Sequence, residues 1–246
     1  MKNIFKFLVG ILLLFSSLNA KNPVESPMFD DIMKQIVGDQ KYIFDKNIEM
    51  KVPSFADNPV QVPIFVDGKS VKNAKRMILF ADLNPIPIIV DVELKNLYPV
   101  ISTNIKVAQE TPLRALILDD KNLWHVGSVN IKSNGGGCDI SSQASNNYEF
   151  AQLMGQTKGK IYEKNDVLRI KASVYHPMET GLVFGNNEFY INSIKIKAND
   201  QLIANLRTTA AISENPRLIL ESKKDLKNLK MIFKDTDANE FNLELN

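Results

Sequence analysis

Arg76-Met77-Ile78-Leu79-Phe80-Ala81, then Asp82-Leu83-Asn84-Pro85, then Ile86-Pro87-Ile88-Ile89-Val90-Asp91-Val92-Glu93-Leu94: two short apolar runs flank a turn built on Asn-Pro. Such runs, bounded by turn residues, read as β-strands over 76–81 and 86–94. Upstream, 48–52 alternates and 60–66 alternates or runs apolar. Downstream, 100–107, 113–119 and 123–132 follow in close succession, separated by turn signals at Asp67-Gly68, Asn96 and Asp119-Asp120. Closely spaced strands with no long helical pattern between them argue for an antiparallel sandwich, not a parallel α/β sheet.

The composition changes after Cys138. Ser141-Ser142-Gln143-Ala144-Ser145-Asn146-Asn147 is small and polar, Phe150 to Met154 offers one apolar contact, and Gly155 to Lys160 is polar again. A second strand series then spans 166–174, 188–198, 201–207, 217–222, 227–234 and 239–245, with hairpin-like turns at Asn199-Asp200 and over 235–239. The expected organisation is therefore all-β, two sandwich domains with a boundary near residue 150. The two series show no internal repeat. Ahead of them, Phe29, Ile32, Met33, Ile36 and Val37 fall at helical spacing, with Ser26 as cap, Pro27 in the first turn and Gly38 as terminator.

The first twenty residues read as an export signal. Lys2 and Lys6 precede an apolar run from Phe7 to Leu18, and Leu18-Asn19-Ala20 is a cleavage tripeptide. The run is short for a membrane span of about 20 residues. No other segment is apolar enough to cross a bilayer, and no cysteine follows the signal to carry a lipid. The expected location is the periplasm. Removal of Lys2 and Lys6 from a chain with 30 basic and 28 acidic residues leaves the charges in balance. With no basic arm interleaved with aromatics, nucleic-acid binding is not expected.

The single cysteine ends the run Asn134-Gly135-Gly136-Gly137-Cys138. Exported, it would have no intramolecular disulfide partner. Glycines are a poor way to hold a thiol rigidly and a good way to let it swing. About five extended residues reach roughly 16–18 Å. The reading from the residues is thus a flexible arm (Gly135, Gly136, Gly137) presenting an exposed Cys138, set against a turn that tucks the thiol inward. Asp139 disfavours the thiolate and Lys132 offsets it.

The two histidines, His125 and His176, lack a second ligand at metal-binding spacing. His125, after Trp124 in a strand, reads as a packing residue. His176-Pro177-Met178-Glu179-Thr180-Gly181 reads as a structured turn. No nucleophile elbow, phosphate loop or His-Glu-x-x-His run is present. A glycine tether also works against the fixed geometry that Cys–His catalysis needs. Neither a metal, another cofactor nor catalysis by this chain is expected.

Beyond these readings, Lys75 to Pro87 with its Leu79-Phe80-Ala81-Asp82-Leu83-Asn84-Pro85 core resembles the central region of the SoxY family. So do Ile105-Lys106-Val107-Ala108-Gln109-Glu110-Thr111, Trp124, Lys132 and the glycine–cysteine arm. Residues from about 158 onward resemble the SoxZ family, most specifically in His176-Pro177-Met178-Glu179-Thr180-Gly181, Phe189, Ile191, Asn192 and Ser213-Glu214-Asn215-Pro216. The chain thus looks like a fused SoxYZ carrier: signal 1–20, SoxY-like domain 21–140, linker 141–157 and SoxZ-like domain 158–246. The resemblance implies two immunoglobulin-like sandwiches packed together, and a cysteine that bears sulfur intermediates covalently while separate enzymes act on them. Only Cys138 and the arm glycines inherit roles. In the family the cysteine closes its chain within Gly-Gly-Cys-Gly-Gly, whereas here Asp139 and Ile140 follow it, so the arm must enter partners as a loop. Related fused carriers are associated with quinoprotein dehydrogenase systems, so the implied partners are periplasmic sulfur-oxidation enzymes or such a system, and the implied cargo is sulfur in general more than thiosulfate. The rival reading is a periplasmic adhesion or scaffold module with an incidental cysteine.

Overall fold

The computed structural model describes residues 21–138, Ile140 and 148–245. The expected signal lies outside these residues. In the first half, helix α1 (Phe29–Val37) precedes eight strands: β1 (Tyr42–Phe44), β2 (Glu49–Lys51), β3 (Val62–Asp67), β4 (Arg76–Ala81), β5 (Ile88–Glu93), β6 (Leu97–Ile105), β7 (Thr111–Leu118) and β8 (Trp124–Ile131). The second half contains α2 (Tyr148–Leu153), β9 (Thr157–Lys164), β10 (Val167–Val174), β11 (Glu179–Thr180), β12 (Glu188–Phe189), β13 (Ile191–Ala198), β14 (Gln201–Thr208), β15 (Arg217–Lys223), β16 (Leu229–Asp235) and β17 (Glu240–Leu245). Among the described residues the protein is all-β apart from two short helices.

The halves are joined more closely than two sandwiches laid against each other. One nine-stranded sheet runs β1-β8-β7-β4-β5-β14-β13-β16-β17, and a six-stranded sheet runs β2-β3-β6-β15-β10-β9. Both sheets cross from one half to the other. Antiparallel β5 and β14 pair from Val90↔Thr208 to Glu93↔Asn205, and β6 pairs with β15 at Ser102↔Ile219 and Ile101↔Leu220. Buried apolar side chains from both halves form one connected core, with Val92, Ile101 and Ile105 beside Leu206, Ile212 and Leu220. Charges tie the seam at its surface. Arg76 and Arg207 both donate to Asp91, while Lys69 and Arg169 both reach Glu221. Burial works against the Asp91 carboxylate, yet the two guanidiniums hold it below the usual range.

Strand β4 is buried along nearly its whole length because the sheet is covered on both faces. Its inner side chains Met77 and Leu79 join the sandwich core; its outer ones, Ile78 and Phe80, meet α1 through Phe29, Ile32, Met33 and Val37. This explains the uninterrupted apolar run at 77–81. The buried Arg114–Asp82 pair sits at the end of this layer. Arg114 also donates to Asn22 Oδ1 and Ser128 Oγ and lies over the Phe29 ring, fixing the N-terminal segment.

Some local expectations need correction. Ser26 does not cap α1: Met28 holds the cap position without a side-chain bond, and Ser26 Oγ is buried without a partner. Gly38 does end the helix, with φ +61° and its N–H bonded to Lys34 O. The stretch 141–157 is not all linker, since α2 lies within it and β9 begins at Thr157. β1 pairs with β8 in parallel, an exception to the antiparallel expectation.

Candidate functional site

The arm's seat is the bend that follows β6. Asn84, from the Asn-Pro turn after β4, accepts from Ala108 N at 3.0 Å and donates through Nδ2 to Lys106 O at 2.8 Å, so one buried side chain pins both ends of the bend. The bend is also tied to its surroundings by Val107 N to Pro59 O and Lys106 N to Ala211 O, each 2.8 Å.

Onto this seat the glycines dock. Gly135 N donates to Ser133 Oγ at 3.0 Å, Gly136 N to Ala108 O at 2.9 Å and Gly137 N to Val107 O at 2.9 Å. The choice of glycine is steric as well as conformational. Gly135 has φ +85°, and a Cβ there would stand 2.3 Å from Ala108 O; at Gly137 it would stand 2.1 Å from Pro59 O. The three glycines are thus a docked segment, not the freely swinging tether expected from their composition. The exposed thiol is also corrected: Cys138 is 1% exposed. What composition could not show is that backbone N–H groups of the arm have carbonyl partners waiting on another loop.

Cys138 is buried against the second half. Thr180 Oγ1 donates to Cys138 O at 3.3 Å and accepts from Leu182 N at 3.2 Å. Thr180 belongs to the His176–Gly181 segment singled out above, whose Met178 has φ +54° and a fully buried side chain. Lys106, from the first half, reaches the same segment. Its Nζ donates to Met178 O and, at 2.9 Å, to Ala210 O. Burial pushes the Lys106 ammonium down to about 8. The Cys138 thiolate is the largest of the charges that resist this, ahead of Glu179 and Glu214.

His176 lies in the floor of this segment with no exposed surface. Nδ1 accepts from Met178 N at 3.2 Å, which leaves the proton on Nε2, 3.6 Å from the buried Asp235. Its ring packs against Phe189, with centroids 4.5 Å apart. Burial pushes its pKa down to about 4, opposed by Asp235 and aided by the Lys106 charge. His125 is elsewhere, on β8, where its nitrogens face Asp45 at 3.0 Å and Asp119 at 3.4 Å. Among the described residues no group of three or more His, Cys, Asp or Glu is arranged to hold a metal ion.

Sequence reasoning singled out Cys138 and its glycines but gave no role to Lys106, Thr180 or Asn84. Strand alternation after inward-facing Ile105 would turn Lys106 to solvent; the bend instead sends it inward. The Asn84-Pro85 turn and the SoxY-like run 105–111 carried the advance signals for the seat.

Comparison with known families matches residues 33–138 to "Sulfur oxidation protein SoxY" and residues 157–246 to "Sulphur oxidation protein SoxZ". The first match ends at Cys138. Among solved structures, the chain is similar to the sulfur carrier protein SoxY from Chlorobium limicola f thiosulfatophilum, at 20% identity and TM-score 0.39, covering 43% of this chain and 96% of that one. It is also similar to a glycosyl hydrolase family 2 member from Bacteroides cellulosilyticus, at 14% identity and TM-score 0.20, covering 81% of this chain and 28% of that one. No curated protein matches the sequence. The two family matches, in this order and covering nearly all of the described residues, place the chain in the SoxY and SoxZ families as a single-polypeptide fusion, a SoxYZ carrier of sulfur oxidation.

Proposed function

We propose that this protein carries sulfur covalently on Cys138, in the periplasm, while partner enzymes of sulfur-compound oxidation load and process the adduct. The observation that supports this best is the placement of the chain's one cysteine. It ends the SoxY-matching segment and is lodged, one residue beyond a run of glycines, against the segment most specific to the SoxZ-matching half. In loading, the thiolate attacks a sulfur in an S–S bond of an oxidised sulfur anion. One S–S bond forms to Cys138, one breaks, and the electron pair leaves with the expelled sulfur anion, so no further oxidant is consumed. The protein is not itself the catalyst in this reading; it supplies a nucleophile and a handle.

Burial of Cys138 gives the cycle two positions. Docked, the thiol is shielded, which protects it from disulfide-linked dimerisation and over-oxidation. Undocked, the glycines deliver it as a loop to a partner. Each hydrogen bond that holds the docked glycines is worth about 0.5–1.5 kcal/mol net, so a partner that binds the released arm can shift the balance.

Extract from source cells lacking this chain provides the test. Added wild-type protein is expected to restore oxidation of reduced sulfur compounds, and Cys138→Ser protein is expected to restore none. Equal restoration by both would end the carrier reading.

A further inference from the structure

We propose that Lys106 is the fixed counter-ion of the carrier site, a positioning residue whose ammonium favours the anionic states of Cys138: the thiolate, and adducts that end in negative charge. The adduct half of this statement rests on the carrier reading above; the thiolate half does not.

The geometry carries the argument. Lys106 is only 5% exposed, and an ammonium so far from water needs partners. Its hydrogen-bond partners Met178 O and Ala210 O come from the second half, so the charge is clamped across the seam. Carbonyls are neutral dipoles. They orient the ammonium and leave its charge to be met by an anion. The docked arm supplies one, because Gly137 bonds to Val107, the residue after Lys106, and Cys138 O bonds to Thr180, two residues after Met178. The first half thus brings one buried cation and one nucleophile to the same short segment of the second.

Among the described residues, the other ionisable groups around Lys106 are Glu179, Glu214 and His176, the last backed by Asp235. Both glutamates act on Lys106 less than the Cys138 thiolate does, and His176 stays neutral above about pH 4. At neutral pH the ammonium's main responsive partner is therefore the sulfur. Electrostatic preference then follows the cargo. A thiolate, a persulfide anion or an S-sulfonate is attracted to the docked position, and a neutral thiol or an alkylated sulfur is not. The site is matched to anionic sulfur species as a class.

The test uses the full chain without partners. Ultraviolet thiolate absorbance is followed against pH, with Cys138→Ser as the blank, in wild type, Lys106→Gln and Lys106→Arg. Gln keeps an N–H donor for the carbonyls and removes the charge; Arg keeps the charge. The thiolate-to-thiol ratio at a given pH is expected to fall about tenfold in Lys106→Gln, the effect of losing one opposite charge nearby, and to stay within about twofold of wild type in Lys106→Arg. A Lys106→Gln profile that overlays wild type overturns the proposal. Should Lys106→Gln fail to fold, the reciprocal measurement decides: the Lys106 Nζ titration, followed by NMR, is expected at lower pH in Cys138→Ser than in wild type, and an unchanged midpoint overturns the proposal. Finding no sulfur on Cys138 in native protein would refute the carrier reading and leave the thiolate coupling measured here in place.

Discussion

Replacing Gly137 by alanine asks whether the arm is held where the structure puts it. The new Cβ would lie 2.1 Å from Pro59 O, 2.6 Å from Pro59 C and 2.7 Å from Val107 O, all backbone atoms with no side-chain freedom to yield. Relief requires the arm to move outward by roughly 1.4 Å, since ordinary contacts begin near 3.5 Å. That displacement breaks the two 2.9 Å bonds from Gly136 N and Gly137 N. Two net hydrogen bonds amount to about 1–3 kcal/mol. At 1.4 kcal/mol per decade, the undocked fraction rises by about 5- to 150-fold. Alkylation of Cys138 by a small haloacetamide, under conditions where docking equilibrates faster than modification, reads that population directly. Circular dichroism is expected to stay close to wild type, because the sheets do not depend on the arm, while unfolding stability falls by no more than the docked bonds contribute, about 1–3 kcal/mol. Gly136→Ala is the companion: a Cβ there meets nothing within 4 Å, so only its φ of +86° opposes the change, at about 1–2 kcal/mol. If Gly137→Ala alkylates at the wild-type rate, Cys138 does not rest in the buried position and the two-position cycle is wrong.

Three further outcomes are expected. A chain nicked between residues 141 and 147 is expected to run as one peak in size exclusion, because two sheets and a shared core cross the seam; separation of the fragments would contradict that continuity. His176→Gln is expected to flatten the acid limb of stability. The native ring stays neutral down to about pH 4 while the unfolded one protonates near 6.5. Stability from this residue is thus complete above pH 6.5 and falls by about 3 kcal/mol as pH drops from 6.5 to 4, and denaturant titrations across that window check it. Cys138→Ser is expected to cost about 1 kcal/mol or more, beyond the ±0.5 kcal/mol of ordinary surface changes, as chemical denaturation would show, because the side chain is buried.

Much of the fold was legible because alternation and turn residues report strands wherever one face meets solvent. The strands at 76–81, 167–174 and 201–208 lie within a residue of their expected bounds. Pieces without an apolar alternation of their own, or with partners distant in sequence, were not legible. β9 is polar because it edges its sheet, and β1 is three residues long and takes its identity from β8. The continuity of both sheets through β5–β14 and β6–β15 is likewise a property of the pairing, not of any local pattern. At the site, composition identified Cys138 and its glycines but suggested motion, since it could not show the carbonyls of Val107 and Ala108 that receive them. Lys106 was hidden by the same cause: its direction is set by a bend that Asn84 pins from another loop.

The central claim is that Cys138 bears sulfur in the working protein. Intact-mass measurement of protein isolated from its native compartment under non-reducing conditions, followed by peptide mapping, tests it most directly. The account expects a population carrying added sulfur, as persulfide or S-sulfonate mass increments that vanish on reduction and map to the peptide containing Cys138. Native protein from cells actively oxidising sulfur compounds that carries only an unmodified thiol at Cys138 would contradict it.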